Sequence, residues 1–210
     1  MNPHWLTWAK KLQEIAQNGL LYNRKPYRDS VFDVERFEQV RNVASEIMAH
    51  HTDADAPYIT NLFAKEEGHA TPKIDLRAVV FQGDKILLVK ERSDGGWTLP
   101  GGWADVNETP AQGVVRETWE ESGYEVKAVK LLAFLDKSKH DHPPSAFHTF
   151  KAIFLCELIS GQATTNIEID EIGFFGENEL PPLSIERVTG GQLRRVFEHH
   201  RNKDLWADFD

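Results

Sequence analysis

Glu117, Glu120 and Glu121 crowd into the segment "RETWEES", directly after Arg116 and downstream of the paired glycines Gly101 and Gly102. If this segment is helical, an advance of about 100° per residue gathers all three carboxylates into a sector roughly 100° wide. Like charges so close repel one another, and apolar burial offers them nothing. Arg116, four residues before Glu120, can offset one of them. A hard divalent cation with oxygen ligands, Mg²⁺ or Mn²⁺, suits the remainder. The competing reading is a plain solvated acidic face.

The surrounding sequence supplies a helix to carry these acids. Thr109 is a capping residue, Pro110 suits a first turn and Gly123 is a ready stop, so the spacing predicts a helix over 110–122. Ala111, Val114, Val115 and Thr118 fall mainly on a different sector, fit for docking on a sheet. Strands are expected on both sides. "IDLRAVVFQGDKILLVKERS" reads as a hairpin about "QGD", "YEVKAVKLLAFLDKS" as one or two strands, "FHTFKAIFLCELI" as a long one and "EIGFFG" as a short one. "TGGQLRRVFEHHR" closes the chain as a helix, with Thr189 as its cap. The result is a mixed α/β domain over residues 73–210, after a polar linker at 67–72.

Residues 1–66 read differently, as helices. Trp5, Trp8, Leu12 and Ile15 form one apolar stripe, and Asn18-Gly19 is a plausible helix stop inside the turn-rich "NGLLYNRKPYRDS". A second helix over 33–50 carries Phe37, Val40, Val43 and Ile47, and a third spans 57–66. So few striped helices make a thin core alone. A homodimer through these helices is favoured over packing on the rest of the chain.

The 210 residues carry a formal net charge of -9. Such a chain has no long-range attraction for a polyanion, so a phosphate-bearing substrate needs a cation supplied locally. No apolar run has the length of a membrane span, and the first residues lack the pattern of a signal peptide. A cytoplasmic protein that binds neither DNA nor membrane is expected. The single cysteine, Cys156, lies in an apolar strand and reads as core filler rather than a catalytic thiol.

Gly102, five residues, Glu108, seven residues and then "RETWEESGY" resembles the Nudix box, Gx5Ex7REUxEExGU, with every fixed position filled. Thr118 departs from the bulky apolar residue usual at the first U, which implies somewhat poorer packing but intact chemistry. The preceding "WTLPGGW" and the flanking strands extend the resemblance over most of the second half. The resemblance implies a Nudix α/β/α sandwich with a mixed sheet, here preceded by a small all-α domain. It also implies Mg²⁺- or Mn²⁺-dependent hydrolysis of a nucleoside diphosphate linked to another moiety X. The helical N-terminus and "LPPLSIERVTGGQL" are similar to the CDP-choline pyrophosphatase-like subgroup, whose members are often named ADP-ribose pyrophosphatases.

Carried over position by position, the resemblance makes Glu117 and Glu121 the principal metal ligands, with Glu120 assisting and Gly101 offering its backbone carbonyl. One of the three glutamates, or a loop acid, deprotonates the attacking water. Glu168 ranks first for the loop acid and Glu171 second, with Asp170 between them. Glu108 and Arg116 hold the loop against the helix, or form a plain salt bridge. Arg77 and Arg92 are candidate phosphate clamps, or surface charges. Trp97 and Trp103 flank the glycines as cleft walls or as packing residues. His140, His142 and His148 read as a polar loop near the substrate in preference to a zinc site. A ligand sensor with the helices as a DNA-binding arm is disfavoured, because a sensor has no need of every box glutamate and the first half lacks a dense basic helix.

Overall fold

A computed structural model describes residues 3–23, 31–66 and 68–210. Part of the turn expected in "NGLLYNRKPYRDS", residues 24–30, lies outside the described residues. The chain divides into two compact units, Met1–Pro72 with Pro144–His148, and Lys73–Pro143 with Thr149–Asp210. Among the described residues no helix is long and apolar enough to cross a membrane.

The first unit is helical: α1 (His4–Asn23), α2 (Val31–His50) and α3 (Ala56–Ala64). Its core is Leu6, Ala9, Met48, Ile59 and Phe63. The buried face of α1 is Leu6, Ala9, Gln13, Ala16 and Leu20, one residue out of step with the expected stripe. Trp8 is 62% exposed and Ile15 45% exposed. The small residues Ala9 and Ala16 share the inward positions with Leu6, Gln13 and Leu20, while Trp8 and Ile15 face out. In α2 the inward residues are Ala44, Ser45 and Met48, while Val43 is exposed. Nor does α1 stop at Asn18-Gly19: it runs on to Asn23. Gly19 serves close packing, since a Cβ there would lie 2.4 Å from the Phe37 ring.

The second unit is a mixed sheet between helices. Its strands are β1 (Lys73–Gln82), β2 (Lys85–Glu91), β3 (Trp97–Thr98), β4 (Tyr124–Asp136), β5 (Thr149–Gly161), β6 (Ile169–Phe175) and β7 (Asp208–Phe209). The order is β3-β2-β1-β5-β4-β7, and β6 pairs with β2. β1 lies parallel to β5, with Lys73 opposite Thr149 and Asp75 opposite Lys151. The hairpin pairing of β1 with β2 is confined to Phe81–Ile86 and Gln82–Lys85. Beyond it the loop after β3 takes over this edge of β1: Leu76 N donates to Gly102 O at 2.7 Å, Ala78 N to Pro100 O at 2.8 Å and Ala104 N to Ile74 O at 2.9 Å.

Alternation along β1 divides the core into two layers. Leu76, Ala78 and Val80 join Leu87, Val114, Val126, Ala152 and Cys156 beneath α4 (Pro110–Ser122). Val79 joins Ile86, Leu88, Leu99, Ile153, Leu193, Val196 and Phe197 beneath α5 (Gly190–Arg201). Both faces of β1 are covered, so residues 75–80 are all buried, charged ones included. Helix α5 begins with the expected Thr189 cap, closed into a capping box by Gln192.

Candidate active site

Helix α4 is held at both ends by local chemistry. The Thr109 hydroxyl accepts from Gln112 N at 3.2 Å while Gln112 Oε1 accepts from Thr109 N at 2.9 Å, a capping box. Gly123 ends the helix at φ 72° and donates to Trp119 O at 2.8 Å. Val114 and Thr118 face the sheet, fully buried. Thr118 satisfies its hydroxyl by donating to Val114 O at 2.7 Å. Gly113 lets the helix sit close, since a Cβ there would lie 2.7 Å from Leu76 Cδ1.

On the other side of α4 the three glutamates stand in graded environments. Glu121 is 6% exposed and its Oε2 accepts from Gly101 N at 2.8 Å. Burial pushes its carboxyl up to about 8, against the opposing pull of Arg77 and of the Gly101 amide. Burial also raises Glu117, although Arg116 opposes it. Glu120 is exposed. Gly101 occupies a position only glycine tolerates: φ is 139° and a Cβ would lie 2.0 Å from Leu76 O. At Gly102 a Cβ would come to 3.0 Å from the Glu117 carboxylate, so the bend and the acids touch.

Arg116 is the hub of this face. Its Nε and Nη2 grip Glu108 at 2.8 and 3.1 Å, and Nη2 also reaches Asp105 at 3.2 Å. Its Nη1 donates to both Glu117 and Glu120 at 2.9 Å. Those hydrogen bonds lower the Glu108 carboxyl and raise Arg116 itself. The pairing with Glu108 ties loop to helix, whereas the contacts to Glu117 and Glu120 draw two acids towards the guanidinium. As placed, no three acidic, imidazole or thiol groups among the described residues converge as a ready metal cage. The donor set nevertheless fits a hard divalent ion: all candidate donors are oxygens, and the buried Glu121 and half-buried Glu117 are carboxylates that the protein compensates only in part.

Arg77 has a different setting from the open phosphate clamp expected of it. It is buried, with Nε donating to Asp75 Oδ1 at 2.9 Å and Nη1 to Leu99 O at 3.0 Å. The reason is the double covering of β1, which leaves no open side to face. Asp75 also pairs with the fully buried Lys151. Burial would raise the Asp75 carboxyl, but Arg77 and Lys151 together hold it below the usual range. Burial lowers Lys151 to about 8, despite Asp75. Glu91, also buried, pairs with Arg187 at 2.8 Å, and its charge acts on Glu121. Asp75, Lys151 and Glu91 escaped the sequence reading. Their one signal was a charged residue inside an otherwise apolar strand.

The remaining candidates separate clearly. Glu168 is exposed, and its carbonyl accepts from Arg92 N at 2.8 Å; burial raises the Glu91 carboxyl and the Glu168 charge adds to it. Asp170 pairs with Arg92 at 2.8 Å and Glu171 with Lys90 at 2.6 Å. Trp103 is 53% exposed beside the glycines, whereas Trp97 is buried and packs edge-on to Phe175 at 4.7 Å. His140 bonds Asp210 and His142 bonds Ile185 O at 2.7 Å, so these two rings serve different partners; His148 belongs to the first unit. Burial lowers His142 to about 4. Cys156 is buried and its thiol is pushed up to about 12, which removes it as a nucleophile.

In this unit a glycine bend backs an acidic helix on a mixed sheet between helices. Residues 71–196 match the NUDIX domain, and residues 3–63 match a UDP-X-like N-terminal oligomerisation domain. The chain belongs to the Nudix family and is a pyrophosphatase of that family. A Bacillus subtilis (strain 168) protein named provisionally as an ADP-ribose pyrophosphatase is 41% identical over 206 residues, covering 98% of this chain and 97% of its own. The crystal structure of an ADP-ribose pyrophosphatase from Streptococcus suis 89-1591 is 43% identical, with TM-score 0.62, over 67% of this chain and 100% of its own. That of a UDP-X diphosphatase is 28% identical, also with TM-score 0.62, over 99% and 98%.

Proposed function

We propose that this protein uses Mg²⁺, with Mn²⁺ as a substitute, to hydrolyse nucleoside diphosphates linked to another moiety X, giving a nucleoside monophosphate and X-phosphate. The observation that carries the reading is Glu121, buried on α4 and fastened to the Gly101 amide, with Glu117 and Glu120 on the same helix. A divalent ion bound there supplies charge neutralisation for the diphosphate and acidifies bound water. Glu117, Glu120 and Glu121 would hold it, with the Gly101 carbonyl beside them. Releasing Glu117 and Glu120 to this task requires Arg116 to keep only Glu108 and Asp105, so Arg116 acts as the counter-charge while the acids wait. Glu168 is the loop acid that takes the proton of the attacking water. Trp103 supplies an exposed aromatic face for the substrate, and Arg92 a cation beside Glu168. Arg77 is assigned a role beneath Glu121 instead of direct phosphate contact.

Two substrate classes are carried forward, CDP-choline-like compounds and ADP-ribose, the second favoured by the names of the two relatives above. The N-terminal helices are assigned to a homodimer, supported by the outward apolar residues Trp8, Ile15 and Tyr22 on α1 and by the description of that domain. Assays that detect the nucleoside monophosphate and X-phosphate products, directly or through an added phosphatase, on CDP-choline, ADP-ribose, sugar nucleotides and nucleoside triphosphates, with Mg²⁺ or Mn²⁺, test the reading. Turnover of a diphosphate-linked compound, lost by orders of magnitude in Glu121→Gln, is expected. A Glu121→Gln protein that hydrolyses the same compound at the parent rate defeats it.

A further inference from the structure

The loop between β5 and β6 runs along the end of α4, where the last helical carbonyls have no partner within the helix. Thr164 N takes Ser122 O at 3.0 Å, a backbone tie. Asn166 does more. Its Nδ2 donates to Glu120 O at 2.8 Å, and its Oδ1 accepts from Glu168 N and Ile169 N, each at 2.8 Å. One short side chain therefore joins the backbone of a box glutamate directly to the backbone of the loop acid. The other end of Glu168 is also fixed, through its carbonyl to Arg92 N. Ile169 is fully buried and pairs with Glu91, which anchors the start of β6. The intervening Ile167 is turned out, 84% exposed.

We infer that Asn166 is a positioning residue, setting the separation between the carboxylates of α4 and Glu168 through its simultaneous hydrogen bonds to Glu120 O and to the Glu168 amide. This rests on the reading of Glu168 as the loop acid. The amide is suited to the task because it offers a donor and an acceptor on one planar group. Asp keeps the acceptor for the two N–H groups but turns a negative oxygen towards the Glu120 carbonyl. Ala removes all three bonds.

The test is steady-state kinetics on Asn166→Ala, Asn166→Asp, Glu168→Gln and the double variant Asn166→Ala/Glu168→Gln. The assay uses Mg²⁺ and whichever of ADP-ribose, CDP-choline or the other panel compounds is turned over fastest. Asn166→Ala is expected to lower kcat about 10- to 100-fold with KM within about threefold, as for a displaced catalytic group. Asn166→Asp should fall nearly as far, and it serves as the measured variant if Asn166→Ala does not fold. In the Glu168→Gln background the loss of Asn166 should cost less than about twofold, because nothing remains to position. A purely structural residue would lower kcat equally in both backgrounds, and that additive result overturns the inference, as does a parent kcat in Asn166→Asp. If Glu168→Gln keeps the parent kcat while Glu121→Gln is inactive, the loop-acid reading and the role of Asn166 both fall, yet the assignment of α4 stands. Activity in Glu121→Gln would instead remove the assignment of α4.

Discussion

Gly101→Ala should damage the protein far more than Gly102→Ala, although the two glycines are neighbours. At Gly101 the backbone has φ 139°, and an added Cβ would sit 2.0 Å from Leu76 O, 2.9 Å from Leu76 C and 3.0 Å from Arg77 Cα. A relaxed carbon–oxygen contact is about 3.3 Å, so the loop must move by more than about 1 Å. The strained conformation costs about 1–3 kcal/mol. The movement also breaks the Gly102 and Pro100 bonds to β1, about 1 kcal/mol each. A total near 3–5 kcal/mol lowers the melting transition of the sheet unit by roughly 6–20 °C. The same shift pulls the amide away from Glu121, and a misplacement of about 1 Å costs around 100-fold in rate. At Gly102 the obstruction is the Glu117 carboxylate, the end of a flexible side chain, at 3.0 Å. Gly102→Ala should therefore hold stability within about 1 kcal/mol and show its effect in the Mg²⁺ dependence of the rate. Scanning calorimetry and Mg²⁺ titrations on both variants decide the matter. A Gly101→Ala protein melting within about 2 °C of the parent, at a rate within threefold, would refute the account of the bend.

Two further outcomes follow from buried charges. Asp75→Asn should destabilise more than Lys151→Met, by urea unfolding, because the first takes from buried Lys151 its carboxylate and leaves it facing Arg77, while the second leaves Asp75 still paired with Arg77. Losses of about 3–5 and about 3 kcal/mol are expected, and the reverse order would contradict the proposed network. His142, lowered to about 4 from its ordinary 6.5, stays neutral in the fold while the unfolded chain takes up a proton. Its contribution is complete above about pH 6.5 and is lost as pH falls towards 4, by at most about 3 kcal/mol for a ring not fully buried. His142→Gln should flatten the pH dependence of stability between pH 4 and 7, and an unchanged slope counts against this role.

Much of the site could be read from sequence because its determinants are local. Thr109, Pro110 and Gly123 fix the ends of α4, and fixed ends fix the phase of Glu117, Glu120 and Glu121. The resemblance singled out Gly101 for its carbonyl, whereas the bond from its amide to Glu121 has no signal in the sequence. What escaped the reading depends on partners distant in sequence. Asp75 and Lys151 are apposed only by the parallel register of β1 and β5, and nothing local announces it. The fate of Arg77 followed from the same cause, since a strand covered on both faces gives an inward charge no exit. Asn166 lay in a polar stretch that looked like any loop. In α1 the stripe is one residue out of phase because Trp8 and Ile15 face outwards, while Ala9 and Ala16 share the inward face with Leu6 and Leu20. Gly19 looked like a stop and proved to be a seat for Phe37.

The long parallel ladder between β1 and β5 also governs how the enzyme must come into being. Its two strands are separated in the chain by β2, β3, the acidic helix and β4, so the strand that carries the glycine bend on one edge is closed on its other edge only by a distant partner. Contacts of such long sequence separation form slowly. The box cut out as a peptide would be an acidic helix with no scaffold to act on.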